Sequence, residues 1–75
     1  MKVKELIKNK EIIKQLNDSL IYWEYGYEEI TINPNIGNTF SNDELKFINE
    51  FCSYHKLKME IYYNDYLNDL ECRIF

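Results

Sequence analysis

The residues able to do chemistry are few and scattered. His55 is the only histidine, and Cys52 and Cys72 are the only cysteines. Cys52 and His55 stand at i, i+3, one helical turn apart, and Cys72 would be a third ligand for a metal. Zinc sites present paired ligands at short repeated spacings, and no second pair exists here, so no metal and no cofactor is expected. No serine has nucleophile-elbow spacing. His55 falls near a helix C-terminus, where a partial positive charge suits the dipole. The two cysteines fall on core-facing positions and read as small buried hydrophobes.

Three carboxylates, Glu24, Glu28 and Glu29, flank one turn. A carboxylate pair does acid–base work only in a cleft that shifts a pKa. A hairpin tip is normally open, so a solvated cluster is expected. Gly26 and Gly37 are the only glycines, too few for a phosphate-cradling loop. No convergent catalytic set emerges, and a non-enzymatic role is the expectation.

The elements that would position these residues follow from periodicity. Residues 2–16 predict a helix on the stripe Val3, Leu6, Ile7, Ile13 and Leu16. Asn9 and Lys10 interrupt the stripe, and Asn17-Asp18-Ser19 reads as a stop and turn. Residues 20–25 are β-branched and aromatic and suit a strand. Gly26-Tyr27 fits a type II′ hairpin turn, and residues 28–33 alternate. Folding on that turn pairs Tyr25 with Glu28, Trp23 with Ile30 and Ile21 with Ile32. Tyr22 then meets Thr31, and Glu24 meets Glu29. In the competing reading the first helix runs to Tyr25 on a heptad and ends at Gly26, giving α-β-α-β-β.

After a loop at Asn33–Asn38 comes the strongest local signal. Ser41 with Glu44 forms a capping box, and Phe40 with Leu45 a hydrophobic staple. The second helix runs to about His55 with Leu45, Ile48, Phe51 and Cys52 inward. Residues 57–63 and 70–75 alternate and pair as Tyr63 with Leu70, Ile61 with Cys72 and Met59 with Ile74. That register also sets Glu60 against Arg73, an ion pair. The prediction is a single α+β domain over residues 1–75: two-layer α-ββ-α-ββ, a four-stranded mainly antiparallel sheet with two helices on one face.

Composition narrows the partners. The chain has 75 residues and net charge −4. The charge is uneven: residues 1–16 carry +3 and residues 17–75 carry −7. No apolar run approaches a membrane span, and no signal-peptide pattern follows the first lysines. Two cysteines make no secreted disulfide framework. A cytoplasmic setting is expected, with no membrane partner. The abundance of Asn, Lys, Ile and Tyr suits AT-rich coding, as in low-GC bacteria and their phages.

Twelve aromatics, seven of them Tyr, exceed what so small a core can hide. Tyrosines on the outer sheet face would anchor a partner. Glu24, Glu29, Glu60 and Glu71 share that face and repel phosphates, which argues against direct nucleic-acid binding. The candidate partner-binding set is therefore Tyr22, Glu24, Glu28, Glu29, Glu60, Tyr62 and Glu71. Its chemistry complements a basic, nucleic-acid-handling protein. An inhibitor carried by a phage or mobile element, of the anti-CRISPR type, is the leading expectation. A homo-oligomeric regulatory or structural module, with a homodimer through an edge strand, is the alternative.

Overall fold

A computed structural model describes residues 2–75. The elements are α1 (Val3–Leu6), α2 (Lys10–Ser19), β1 (Tyr22–Gly26), β2 (Glu29–Asn33), α3 (Asn42–His55), β3 (Met59–Asn64) and β4 (Asp69–Ile74). The four strands form one sheet in the order β1-β2-β4-β3, with every neighbouring pair antiparallel. The α+β class and the α-ββ-α-ββ order are as the sequence indicates. The long-first-helix alternative is not, because residues 22–26 are strand.

The first helix departs from the expected single run over residues 2–16. It breaks into α1 and α2, so the described residues form three helices, one of them a single turn. Asn9 is the cause: its side chain accepts from the Glu11 N–H at 2.9 Å and caps a new helix start. Asn17-Asp18-Ser19 also differs from expectation. These residues are the last turn of α2, not a turn region. Weak helix formers cost little at a helix end, and the Asn17 side chain there accepts from the Trp23 indole N–H at 2.9 Å.

One hydrophobic core joins all three helices to the sheet. Val3, Leu6, Ile12 and Leu16 come from α1 and α2, and Ile48, Phe51 and Cys52 from α3. Ile30, Ile32, Cys72 and Ile74 come from one face of the sheet. Ile30 pairs with Ile74 and Ile32 with Cys72 across β2 and β4. The central strands thus place a fully buried row under the helices. Among the described residues, no helix covers the opposite sheet face.

The second hairpin has the expected register in full, from Met59 with Ile74 to Tyr63 with Leu70. The first hairpin does not. Its pairs are Tyr22 with Asn33, Trp23 with Ile32, Glu24 with Thr31, Tyr25 with Ile30 and Gly26 with Glu29. The expected pairing is displaced by two residues. A slip of two preserves side-chain parity, so Trp23 still faces the core side. Bonds at the base of the hairpin hold this register. Trp23 is tied to Asn17, and the Ile21 N–H donates to Asn35 Oδ1 at 2.8 Å. Ile21 is thereby left outside the sheet and 65% exposed.

The displaced register moves the turn onto Tyr27-Glu28. Both have positive φ, 53° and 61°, as a type I′ turn requires. Neither has the side chain that this backbone prefers, and each non-glycine residue there costs about 1 kcal/mol. Replacing the pair by Asn-Gly should stabilise the domain by about 1–2 kcal/mol and raise Tm by roughly 5–10 °C. The replacement also removes the exposed Lys4–Glu28 ion pair at 3.8 Å, an interaction of a kind that contributes little. An unchanged or lower Tm in a thermal melt would show that the turn carries no strain.

Candidate binding face

The uncovered sheet face is built by alternation: Tyr22 and Glu24 of β1, Glu29, Thr31 and Asn33 of β2, Glu71 and Arg73 of β4, and Glu60 and Tyr62 of β3. The ladder fixes their order, with Glu24 beside Thr31, Thr31 beside Arg73 and Arg73 beside Glu60. One cross-sheet row therefore runs carboxylate, hydroxyl, guanidinium, carboxylate.

Arg73 holds the centre. Its guanidinium lies 3.6 Å from Glu29 and 3.4 Å from Glu60. It also stacks over the Phe75 ring at 4.8 Å, a cation–π geometry. Its Nε is enclosed without a hydrogen-bond acceptor among the described residues. The sequence pointed to the Glu60–Arg73 pair, and the structure adds Glu29 from a third strand. Glu29 does not stand opposite Glu24 as expected. The register change places it beside Gly26.

Glu71 is buried at 7% exposure although it lies on the open face. The Tyr62 hydroxyl donates to its Oε1. Asn33 and Asn64 amides each donate to its Oε2 at 3.4 Å. Asn33 also donates to the Leu70 carbonyl at 3.1 Å. The Tyr62 hydroxyl pKa is raised, first by its hydrogen bond to Glu71 and then by burial. Asn33 and Asn64 were not singled out from the sequence. Their signal was available in the register of the strands: each neighbours Glu71 once the pairing is known.

The seven candidate residues therefore divide. Tyr22, Glu24, Glu60 and Tyr62 reach the outer surface of the face, with Tyr22 57% exposed. Glu29 is engaged with Arg73, and Glu71 is enclosed by Tyr62 and two asparagines. Glu28 is on the turn, away from the strand rows, paired with Lys4. The three carboxylates near the first turn do not converge. Two shallow concavities meet at Tyr22 and Asn33, one toward Ile21 and Glu24 and one toward Pro34, Gly37 and Leu67.

The helix side presents a different surface. A groove of about 520 Å³ runs between α2 and α3, lined by Ile12, Gln15, Phe47, Phe51, Tyr54 and His55 among others. The His55 ring contacts Phe51 at 4.6 Å and Tyr54 at 4.9 Å between centroids. Burial among these rings lowers its pKa. Cys52 and Cys72 are both buried and free. Among the described residues no cluster of three or more His, Cys, Asp or Glu is placed to hold a metal, and no helix is long and apolar enough to cross a membrane. No family model, no curated protein and no solved structure matches this chain.

Proposed function

We propose that this chain is a non-enzymatic binding module whose open sheet face docks on a basic protein surface. The observation that carries this reading is the charge of a rigid face: Glu24, Glu29, Glu60 and Glu71 against Arg73, set on four hydrogen-bonded strands. Arg73 is shared between Glu60 at 3.4 Å and Glu29 at 3.6 Å, so one guanidinium faces four carboxylates and the face stays acidic. Glu24 and Glu60 remain outward at opposite sides of the row, with Tyr22 and Tyr62 beside them. Carboxylates at the rim steer encounter with a basic partner, and the tyrosines supply contact area once it docks. Basic surfaces of this extent are typical of proteins that grip nucleic acid. A small acidic domain seated there would exclude the nucleic acid. We therefore place the chain among inhibitors of nucleic-acid-handling proteins, of the kind phages and mobile elements carry against CRISPR systems, acting in the bacterial cytoplasm.

The test uses reversals that leave the fold intact. Glu24→Lys with Glu60→Lys changes two exposed side chains. Glu71 is unsuitable, because its reversal would bury a cation against the two asparagine amides. The immobilised domain is presented to a low-GC bacterial lysate, and capture is repeated with the double variant and with added duplex DNA or RNA. Capture of a basic, nucleic-acid-binding protein is expected, competed by nucleic acid. The double reversal should slow association roughly 10-fold at low salt, with the difference shrinking as salt rises. Glu50→Lys on the helix side should leave capture unchanged. If the double reversal has no effect on capture, the open face is not the binding surface.

A further inference from the structure

The strand order leaves two edges, β1 and β3, and they differ in what they offer a further strand. At β3, Lys58 and Phe75 exchange both backbone hydrogen bonds, at 3.4 and 2.9 Å. In an antiparallel ladder such pairs alternate with non-bonded ones. Glu60, Tyr62 and Asn64 therefore aim their main-chain groups at β4. Met59, Ile61 and Tyr63 aim theirs outward, unpaired. The side chains of these same three residues lie on the helix-side face, and the helices cover them incompletely: Ile61 is 40% exposed and Tyr63 53%.

We infer that β3 is a self-pairing edge, and that two copies of this chain join antiparallel across it with Ile61 on the two-fold axis. In this register Ile61 faces Ile61 of the second copy, and Met59 faces its Tyr63. All three outward residues make hydrogen-bonded pairs, and the half-exposed apolar row is covered by its own copy. On the open face Glu60 meets Tyr62 and Lys58 meets Asn64, so no like charges are opposed. The neighbouring symmetric registers pair fewer outward groups, and one of them also opposes like charges. One sets Glu60 against Glu60, the other Tyr62 against Tyr62, and each forms fewer hydrogen-bonded pairs.

The β1 edge lacks this self-complementarity. Across its two-residue turn Gly26 and Glu29 are the bonded pair, so Trp23 and Tyr25 hold the outward groups. The symmetric register that uses both opposes Glu24 to Glu24, which is destabilising. The next outward N–H, that of Ile21, is already taken by Asn35. A charge at an edge is a common guard against strand addition: on β1 Glu24 meets its own copy in the one register that uses both outward residues, whereas on β3 Glu60 meets Tyr62 in the Ile61-centred register. The dimer would carry one continuous eight-stranded sheet with the acidic face doubled. Salt distinguishes this pairing from docking on a basic partner. Each copy carries −4, so self-association strengthens with salt, whereas docking on a basic partner weakens.

The experiment uses the intact chain. Light scattering after size exclusion, across micromolar to millimolar loading, should show the mass rise from 9.2 kDa to twice that value and stop, more readily at high salt. Ile61→Pro should abolish the rise with circular dichroism retained, because the N–H it removes makes no bond within the chain. Single cysteines then read the register. Hydrogen-bonded pairs have Cα atoms ~5.5 Å apart, inside the disulfide range, whereas diagonal neighbours lie ~7–8 Å apart. Ile61→Cys should therefore oxidise to a covalent dimer at least ~10-fold faster than Glu60→Cys or Tyr62→Cys. The native thiols, 5% and 0% exposed, do not compete. A constant 9.2 kDa mass would overturn the inference. So would growth beyond two copies, which signals β1–β3 head-to-tail pairing, or faster oxidation at position 60 or 62.

Discussion

Raising the pH from 9 toward 12 should unfold this domain cooperatively, and the two buried cysteines should set the midpoint. Burial pushes the Cys52 thiol from 9.0 up to about 11. Burial, with a smaller contribution from the charge of Cys52, pushes Cys72 up to about 12. Both folded-state values lie above the unfolded value. The stabilising contribution is therefore complete below pH 9 and is lost as pH rises through 11 and 12. At pH 11 the unfolded chain has released both thiol protons and the folded chain still holds most of them. The two thiols together then favour unfolding by on the order of 5 kcal/mol. A chain of this length has about 4–11 kcal/mol in total. Tyr62, raised through its hydrogen bond to Glu71, works in the same direction. Cys52→Ala with Cys72→Ala should lower stability at pH 7 by ~1–2 kcal/mol through lost packing, yet move the alkaline midpoint upward. Circular dichroism across the pH range reads both. A double variant that unfolds at the same or lower pH would show that thiol ionisation does not drive the transition.

The same two cysteines illustrate how far the sequence could be read. Their burial follows from alternation in residues 70–75 and from the helical stripe through Cys52, both local signals. The second hairpin was legible for a similar reason: its apolar pattern and its Glu60–Arg73 pair agree on one register. The capping box at Ser41 and Glu44 is likewise local. The register of the first hairpin was not legible, because its two indicators conflict. Turn chemistry favours Gly26-Tyr27, but Trp23 is bonded to Asn17 and Ile21 to Asn35, and those bonds come from other elements. The resulting turn takes two non-glycine residues at positive φ. Asn9 was visible as an interruption of the apolar stripe, and its capping role depends on where the chain turns next. On the candidate face, parity placed Glu71 outward and suggested a solvated charge. Its enclosure by Tyr62, Asn33 and Asn64 requires three strands in register, which no single segment encodes.

Glu44 is where a local signal turns out to do long-range work, and its removal should be among the most damaging single changes. Sequence pattern alone assigns it only local roles, the N3 partner of the Ser41 cap and a charge suited to the helix N-terminus. In the structure it is 5% exposed and accepts two backbone hydrogen bonds. Its Oε1 takes the Ser41 N–H at 2.9 Å, and its Oε2 takes the Asn35 N–H at 3.0 Å. Asn35 in turn accepts from the Ile21 N–H and donates to the Ser19 carbonyl at 3.4 Å. One carboxylate thus links the start of α3, the 34–40 loop and the α2–β1 junction. Hydrogen bonds to a charged acceptor contribute about 1.5–3 kcal/mol each, and the donors left behind are part-buried. Glu44→Ala should cost ~3–4 kcal/mol, against ~1 kcal/mol for Ser41→Ala, which removes only the cap. Glu44→Gln should rescue little, because its amide would turn an N–H₂ toward one of two N–H donors. The base of the first hairpin should loosen with it, seen as faster amide exchange at Ile21 and Trp23 in Glu44→Ala and not in Ser41→Ala. Equal urea midpoints for Glu44→Ala and Ser41→Ala would reduce Glu44 to an ordinary capping residue.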